Sequence, residues 1–159
     1  MKKVKNNILL LVCTVVFIFL FVSTAPADDT IFTNENPGGV VASPSSPSSP
    51  TQFTLNAPMI ITYLRTYHWN NGRGQSAGSI SLKSSTGQSY GPWTASIYNN
   101  FYWVVKPNIC LPAGTYTIVD TYSSTWSYNS QSGNKGFATV NTDPCPDDVK
   151  GPIKSMYNK

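Results

Sequence analysis

The sequence is poor in the groups that perform acid–base or metal chemistry. It contains a single histidine, His68, and seven acidic residues among 159. Between Asn36 and Asn141 there is one acid, Asp120. A glycosidase of the usual kind needs two carboxylates flanking the scissile bond. Zinc needs three or four His, Cys, Asp or Glu ligands, and calcium wants several carboxylates. One imidazole and one carboxylate meet none of these requirements, so no catalytic residue, no metal site and no cofactor is expected. No serine stands in a Gly-x-Ser-x-Gly elbow. A small hydrolase is left with His68, Asp120 and a serine brought together across space, all within hydrogen-bond reach. The plainer expectation is that His68 is a strand-end residue bonded locally. Asp120 is then a turn organiser, accepting backbone N–H groups from the Thr121–Thr125 loop.

Long apolar runs are also scarce. Ile8 to Val22 spans 15 residues, interrupted only by Thr14, whereas crossing a bilayer takes about 20. Lys2, Lys3 and Lys5 precede the run and Ala25-Pro26-Ala27 follows it. This is the layout of a signal peptide over residues 1–27, cleaved after Ala27; the rival is an uncleaved N-terminal anchor. Cys13 follows Val12 and has further apolar sequence beyond it, which argues against a lipoprotein signal.

Excess charge of one sign is missing too. From Asp28 onward there are eight basic and seven acidic residues, a net charge of +1. That is no footprint for nucleic acid, and no stretch is both basic and amphipathic, so no membrane insertion is expected after cleavage. Of three cysteines, Cys110 and Cys145 lie beyond the leader and form no CxxC pair. In an exported chain the simplest reading is a disulfide between them, with two free thiols as the alternative. Export places the protein outside the cell or on the outer face of the envelope.

What is present divides the chain. Residues 28–50 read as a Pro/Ser-rich linker, with Asn36-Pro37-Gly38-Gly39 followed by a Ser-Ser-Pro repeat over Ser43–Pro50. Such a stretch buries little and favours extended polyproline geometry, so it reads as a semi-rigid spacer. Residues 51–145 read as the folded domain and 146–159 as a polar tail. Fifteen aromatic residues fall between Thr51 and Val140, against six charges. Thr, Tyr, Ile and Val dominate there, with Gly, Asn and Pro as punctuation and no helical periodicity.

Seven or eight short strands are expected: Gln52–Leu55, Met59–Trp69, Gly78–Lys83, Trp93–Tyr98, Phe101–Val105, Gly114–Thr121 and Gly136–Val140. The longest should carry Ile61, Tyr63, Tyr67 and Trp69 on one face. Turns are expected at Asn71-Gly72, Thr86-Gly87, Tyr90-Gly91-Pro92, Asn99-Asn100 and Pro112-Ala113-Gly114. The spacing predicts an all-β, antiparallel, jelly-roll-like sandwich.

Three aromatic clusters stand out: Tyr67–Gly74, Tyr90–Trp93 and Thr121–Asn129. Tyr and Trp offer flat apolar faces with a polar edge, which suits sugars, and with Arg they also suit protein interfaces. A small sandwich short of aliphatic residues can equally use these rings as core. Trp69, Arg73, Trp93, Trp126 and Tyr128 lie at strand ends or loops and are the candidate ligand contacts. Taken in order, Tyr67-His68-Trp69-Asn70, Tyr90-Gly91-Pro92-Trp93, Leu111-Pro112-Ala113-Gly114-Thr115-Tyr116, Asp120 and Thr125–Asn129 resemble a recurring secreted bacterial module appended to varied exported proteins. The resemblance covers about residues 51–140 and implies a β-sandwich and export; it implies no activity. Thr121-Tyr122 departs from it, where a more polar turn is expected. The expected function is a non-catalytic exported surface or binding module for a carbohydrate or cell-envelope polymer. The alternative is an accessory domain contacting another exported protein.

Overall fold

The computed structural model describes residues 28–36 and 38–146; the expected signal peptide and the tail past Pro146 lie outside the described residues. Alternating apolar and polar residues build ten strands. They are β1 (Asp29–Thr33), β2 (Gln52–Leu55), β3 (Met59–Tyr67), β4 (Ser79–Ser84), β5 (Ser89–Thr94), β6 (Ser96–Tyr98), β7 (Tyr102–Val105), β8 (Ile109–Leu111), β9 (Gly114–Asp120) and β10 (Ala138–Pro144). Two antiparallel sheets pack face to face. The larger runs β1-β10-β3-β7-β6 with β8 also on β3, and the smaller runs β2-β9-β4-β5.

Two of the boundaries between strands are local interruptions. β7 and β8 both lie antiparallel to β3, with Leu64 opposite Val105 and Ile61 opposite Ile109, a register slip of one residue. Pro107 between them has no N–H for a ladder. Asn108 takes a left-handed φ of 49° and donates its N–H to the Ile61 carbonyl at 2.9 Å. β5 and β6 are separated only by Ala95 yet belong to different sheets, so the chain crosses from one layer to the other there. Counting each pair as one strand leaves eight, ordered 1-8-3-6-5 opposite 2-7-4-5, with strand 5 giving its first half to the smaller sheet and its second to the larger. That is the jelly-roll arrangement expected from the sequence.

The core lies between the layers. Ile61, Leu64, Ile80, Leu82, Trp103, Leu111 and Val140 are fully buried, with Phe53, Tyr116, Ile118 and Trp126 closing around them. The alternation read from Ile80, Leu82, Trp103, Val105, Tyr116 and Ile118 holds. Cys110 and Cys145 are disulfide-bonded across 35 residues, tying β8 to the end of β10. In the chain-entropy account a loop of that size contributes about 3–4 kcal/mol.

The structure corrects four expectations. First, residues 28–50 are not a free spacer. Asp29–Thr33 is an edge strand paired with β10, and the following Pro/Ser stretch lies along the loop Thr121–Gly136. Val41, Ser45 and Ser49 donate their N–H groups to the carbonyls of Tyr128, Ser124 and Asn134. Burial alternates from Ser43 to Ser49, so this extended segment packs one side without needing apolar residues. Second, Tyr90-Gly91-Pro92 is no turn. It lies within β5, where the register shifts opposite Ser81 as a bulge. Third, Ile109–Leu111 forms a strand in addition to those expected.

The fourth correction concerns the faces of β3. Asn141 faces Tyr63 and Thr142 faces Ile61, so Thr62 is an extra, unmatched residue. A bulge of one residue reverses the alternation beyond it. Ile61 therefore points inward with Leu64 and Thr66, while Tyr63, Arg65 and Tyr67 take the opposite face.

Tyr116 supplies a pH-dependent contribution. Its hydroxyl donates to the Pro112 carbonyl at 2.8 Å. Burial, reinforced by Tyr90, pushes its pKa up to about 12. A group whose pKa is raised on folding gives its full stabilisation below the unfolded value and loses it as pH rises through the folded one. Urea midpoints should accordingly decline between about pH 10 and about pH 12. Tyr116→Phe should flatten that decline, and an unchanged alkaline profile in this variant would refute the assignment.

Candidate functional site

His68 and Asp120 do meet, at the end of the sandwich where β3 and β9 finish. His68 Nε2 lies 3.1 Å from Asp120 Oδ2 and 3.1 Å from Thr66 Oγ1. The Thr66 hydroxyl donates to the same carboxylate oxygen at 2.8 Å, and the Tyr122 N–H donates to Oδ1 at 2.8 Å. The last bond is the turn-organising role expected of Asp120. On the other side of the ring, Nδ1 is 3.0 Å from Thr125 Oγ1. A carboxylate only accepts, so Nε2 carries a proton. The imidazole stacks on Trp103, with centroids 4.1 Å apart.

Both side chains are completely buried. Their hydroxyl partners are threonines, and among the described residues no serine bonds to either. The hydrolase arrangement needed a serine at this pair. What the geometry provides is a clasp: β3, β9 and the one-turn 3-10 helix Ser123–Thr125 are joined by a hydrogen-bonded network at one end of the core.

The five proposed contact residues do not converge. Trp126 and Tyr128 are buried. Trp126 donates its ring N–H to the Phe137 carbonyl at 2.9 Å and lies so close to Gly136 that a Cβ there would fall 2.2 Å from the ring. The Tyr128 hydroxyl bonds to Ser45 Oγ at 2.5 Å, beneath the N-terminal segment. Trp93 sits on β5 opposite Ile80 and packs against the core. These three rings are structural because the small core needs their volume. Trp69 and Arg73 alone remain at the surface, in the turn after β3. Trp69 is 37% exposed and leans on Phe101. Arg73 borders an open depression of about 420 Å³ with Asn70, Gln75, Ile97 and Asn100.

The most developed surface lies away from most of the five candidate contacts. The outer face of the larger sheet carries Tyr63, Arg65 and Tyr67 on β3, Tyr102 and Val104 on β7, and Ser96 and Tyr98 on β6. Registers set Arg65 beside Val104, Tyr67 beside Tyr102, and Tyr98 beside Tyr102. Tyr102 lies 4.9 Å from Tyr67 and 6.2 Å from Tyr98, ring centroid to centroid. The Arg65 guanidinium sits 4.8 Å over the Tyr102 ring.

Glu35, from the segment expected to be linker, fixes this arginine. Arg65 Nε and Nη2 donate to its two carboxylate oxygens at 2.7 Å each, a bidentate fork. Thr139 donates to Glu35 Oε1 at 2.9 Å. Burial alone would lower the Arg65 pKa, but the hydrogen bonds and charge of Glu35 hold it above its ordinary value. Burial also pushes the Tyr63 hydroxyl up. Between Tyr63, Arg65, Ser96, Tyr98, Val104 and Lys106 lies an open depression of about 470 Å³. The Tyr-x-Arg-x-Tyr spacing of residues 63–67 was the available signal, hidden by the bulge at Thr62.

No family model, no curated protein and no solved structure matches this chain. Its chemistry is therefore read from its own residues.

Proposed function

We propose that the chain is an exported, non-catalytic module that binds a carbohydrate or cell-envelope polymer on the outer face of the larger sheet. The observation that carries this reading is exposed Tyr98 beside half-buried Tyr102, with Arg65 locked above Tyr102 by Glu35 and buried Tyr67 backing the row from below. Sugar rings present C–H faces and hydroxyls, and tyrosine presents a flat apolar ring with a polar edge. Arg65 is already held at its fork, so little side-chain freedom is left to lose on binding. The disulfide fits an oxidising location.

The test is calorimetry and a glycan array with the 28–159 protein. Tyr102→Ala should weaken binding about tenfold or more, as loss of a central aromatic contact does, with the far-ultraviolet spectrum unchanged. Trp69→Ala tells the sheet face from the loop beside it: unaltered affinity places the ligand on the sheet. Failure of every polymer to bind ends the proposal. A second reading, contact with another exported protein, draws on β6. That strand ends the larger sheet with Ile97 49% and Tyr98 55% exposed, and an edge strand can pair with another chain.

A further inference from the structure

We infer that the polymer is acidic, its units carrying carboxylate or phosphate groups; this rests on the proposed binding face. The depression on that face is lined by two cations, Arg65 and Lys106, and by no carboxylate. Glu35 does not compensate both. Its two oxygens are engaged by Arg65, and Oε1 also accepts from Thr139. Arg65 spends Nε and Nη2 on that fork, which leaves Nη1 with donors to offer.

Lys106 is exposed and forms no ion pair among the described residues. It directly follows Val105, which faces Leu64, so it comes alongside Tyr63 at one end of the depression. The remaining acids near this sheet are engaged or distant. The Asp28 carboxylate, one strand over, is bonded to Thr62 and Asn141. Asp143 on β10 pairs with Ile60 and Asp29 on β1 with Thr142; two or more strand spacings put these two about 10 Å or more from Lys106, near the screening length at ordinary ionic strength. Lys106 thus stands beside the tyrosines as a cation with no ion pair among the described residues. A neutral sugar would use the rings and leave Lys106 idle. An acidic one stacks on exposed Tyr98 while its anionic group meets Lys106 and the free edge of Arg65.

The experiment titrates the 28–159 protein with three probes: a polyuronate, the same polymer with its carboxyls reduced to alcohols, and a phosphodiester-linked polyol. The polyuronate or the phosphodiester polymer should bind at least fivefold more tightly than the reduced polymer, and the tighter of the two identifies the anionic group. Lys106→Gln should cost about two- to fivefold on the acidic probe, the range of a single exposed ion pair, and less on the reduced one. Lys83→Gln, on β4 of the other sheet, should change nothing. Raising salt from about 50 to about 500 mM should shrink the preference. Equal binding of acidic and reduced polymers, or no effect of Lys106→Gln on the acidic probe, overturns the inference and leaves the binding face standing. Binding by none of the three overturns both.

Discussion

Asp120→Ala should destabilise the protein by about 3–5 kcal/mol, because three buried donors lose their acceptor at about 1–3 kcal/mol each. For a domain of this size that is a fall in melting temperature of about 10–20 °C. The carboxylate is fully buried and accepts from three donors: His68 Nε2, the Thr66 hydroxyl and the Tyr122 N–H. Removing it strands all three where water cannot replace the acceptor. Asp120→Asn keeps the shape but not the chemistry. An amide offers one acceptor and one donor group, whereas Oδ1 and Oδ2 both face donors. Either orientation sets N–H against N–H or O–H, at a cost of about 1–3 kcal/mol. The ordering wild type, Asn, Ala in urea midpoint, at constant slope, is the expected result. An alanine variant within 1 kcal/mol of wild type would show that the clasp contributes nothing. The same measurement bears on function: a network whose role is to hold β3 to β9 alters stability first.

What the sequence revealed followed from local rules acting alone. Gln52–Leu55, Ser79–Ser84 and Gly114–Asp120 alternate without interruption, and their inward residues are those alternation predicts. Cys110 and Cys145 are bonded, as expected of the two cysteines outside residues 1–27. Errors arose where one residue changed the phase or where burial came without hydrophobicity. Thr62 is an ordinary threonine, and nothing in its identity announces a bulge, yet it parts Tyr63 and Tyr67 from Ile61, with which simple alternation groups them. Two of the rings expected at the surface, Trp126 and Tyr128, are buried, whereas Trp69 is exposed. Trp126 and Tyr128 stand among Ser, Thr and Asn, which reads as an open loop. In the fold that loop is covered by the Ser/Pro segment, whose backbone satisfies its carbonyls. His68 and Asp120 could be named as partners from scarcity, but only the fold shows that threonines complete the set.

The same segment gives the other large effect. A chain beginning at Thr51 should fail to fold, although residues 51–145 contain nearly all the aliphatic core. Deleting 28–50 removes β1 and leaves β10 as a bare edge. It takes Phe32 from the core margin and Glu35 from Arg65. Asn129, which is 5% exposed, loses the Asn36 and Gly38 carbonyls that its amide bonds. The carbonyls of Ser124, Tyr128 and Asn134 lose their donors. Losing the partly buried Phe32 costs up to about 1.5–3 kcal/mol, the Asn129 amide about 1–3 kcal/mol, and the β1–β10 ladder and the Glu35 fork are lost with them. Together these approach the 5–15 kcal/mol that holds a small domain folded. Collected by proton NMR, the 51–159 fragment should show the narrow shift dispersion of an unfolded chain, while 28–159 shows the wide dispersion of a β-sandwich. Matching spectra and urea midpoints for the two would restore residues 28–50 to a mere tether. In that case Glu35 would also be dispensable to Arg65, and the rigid tyrosine–arginine face would need another source of order.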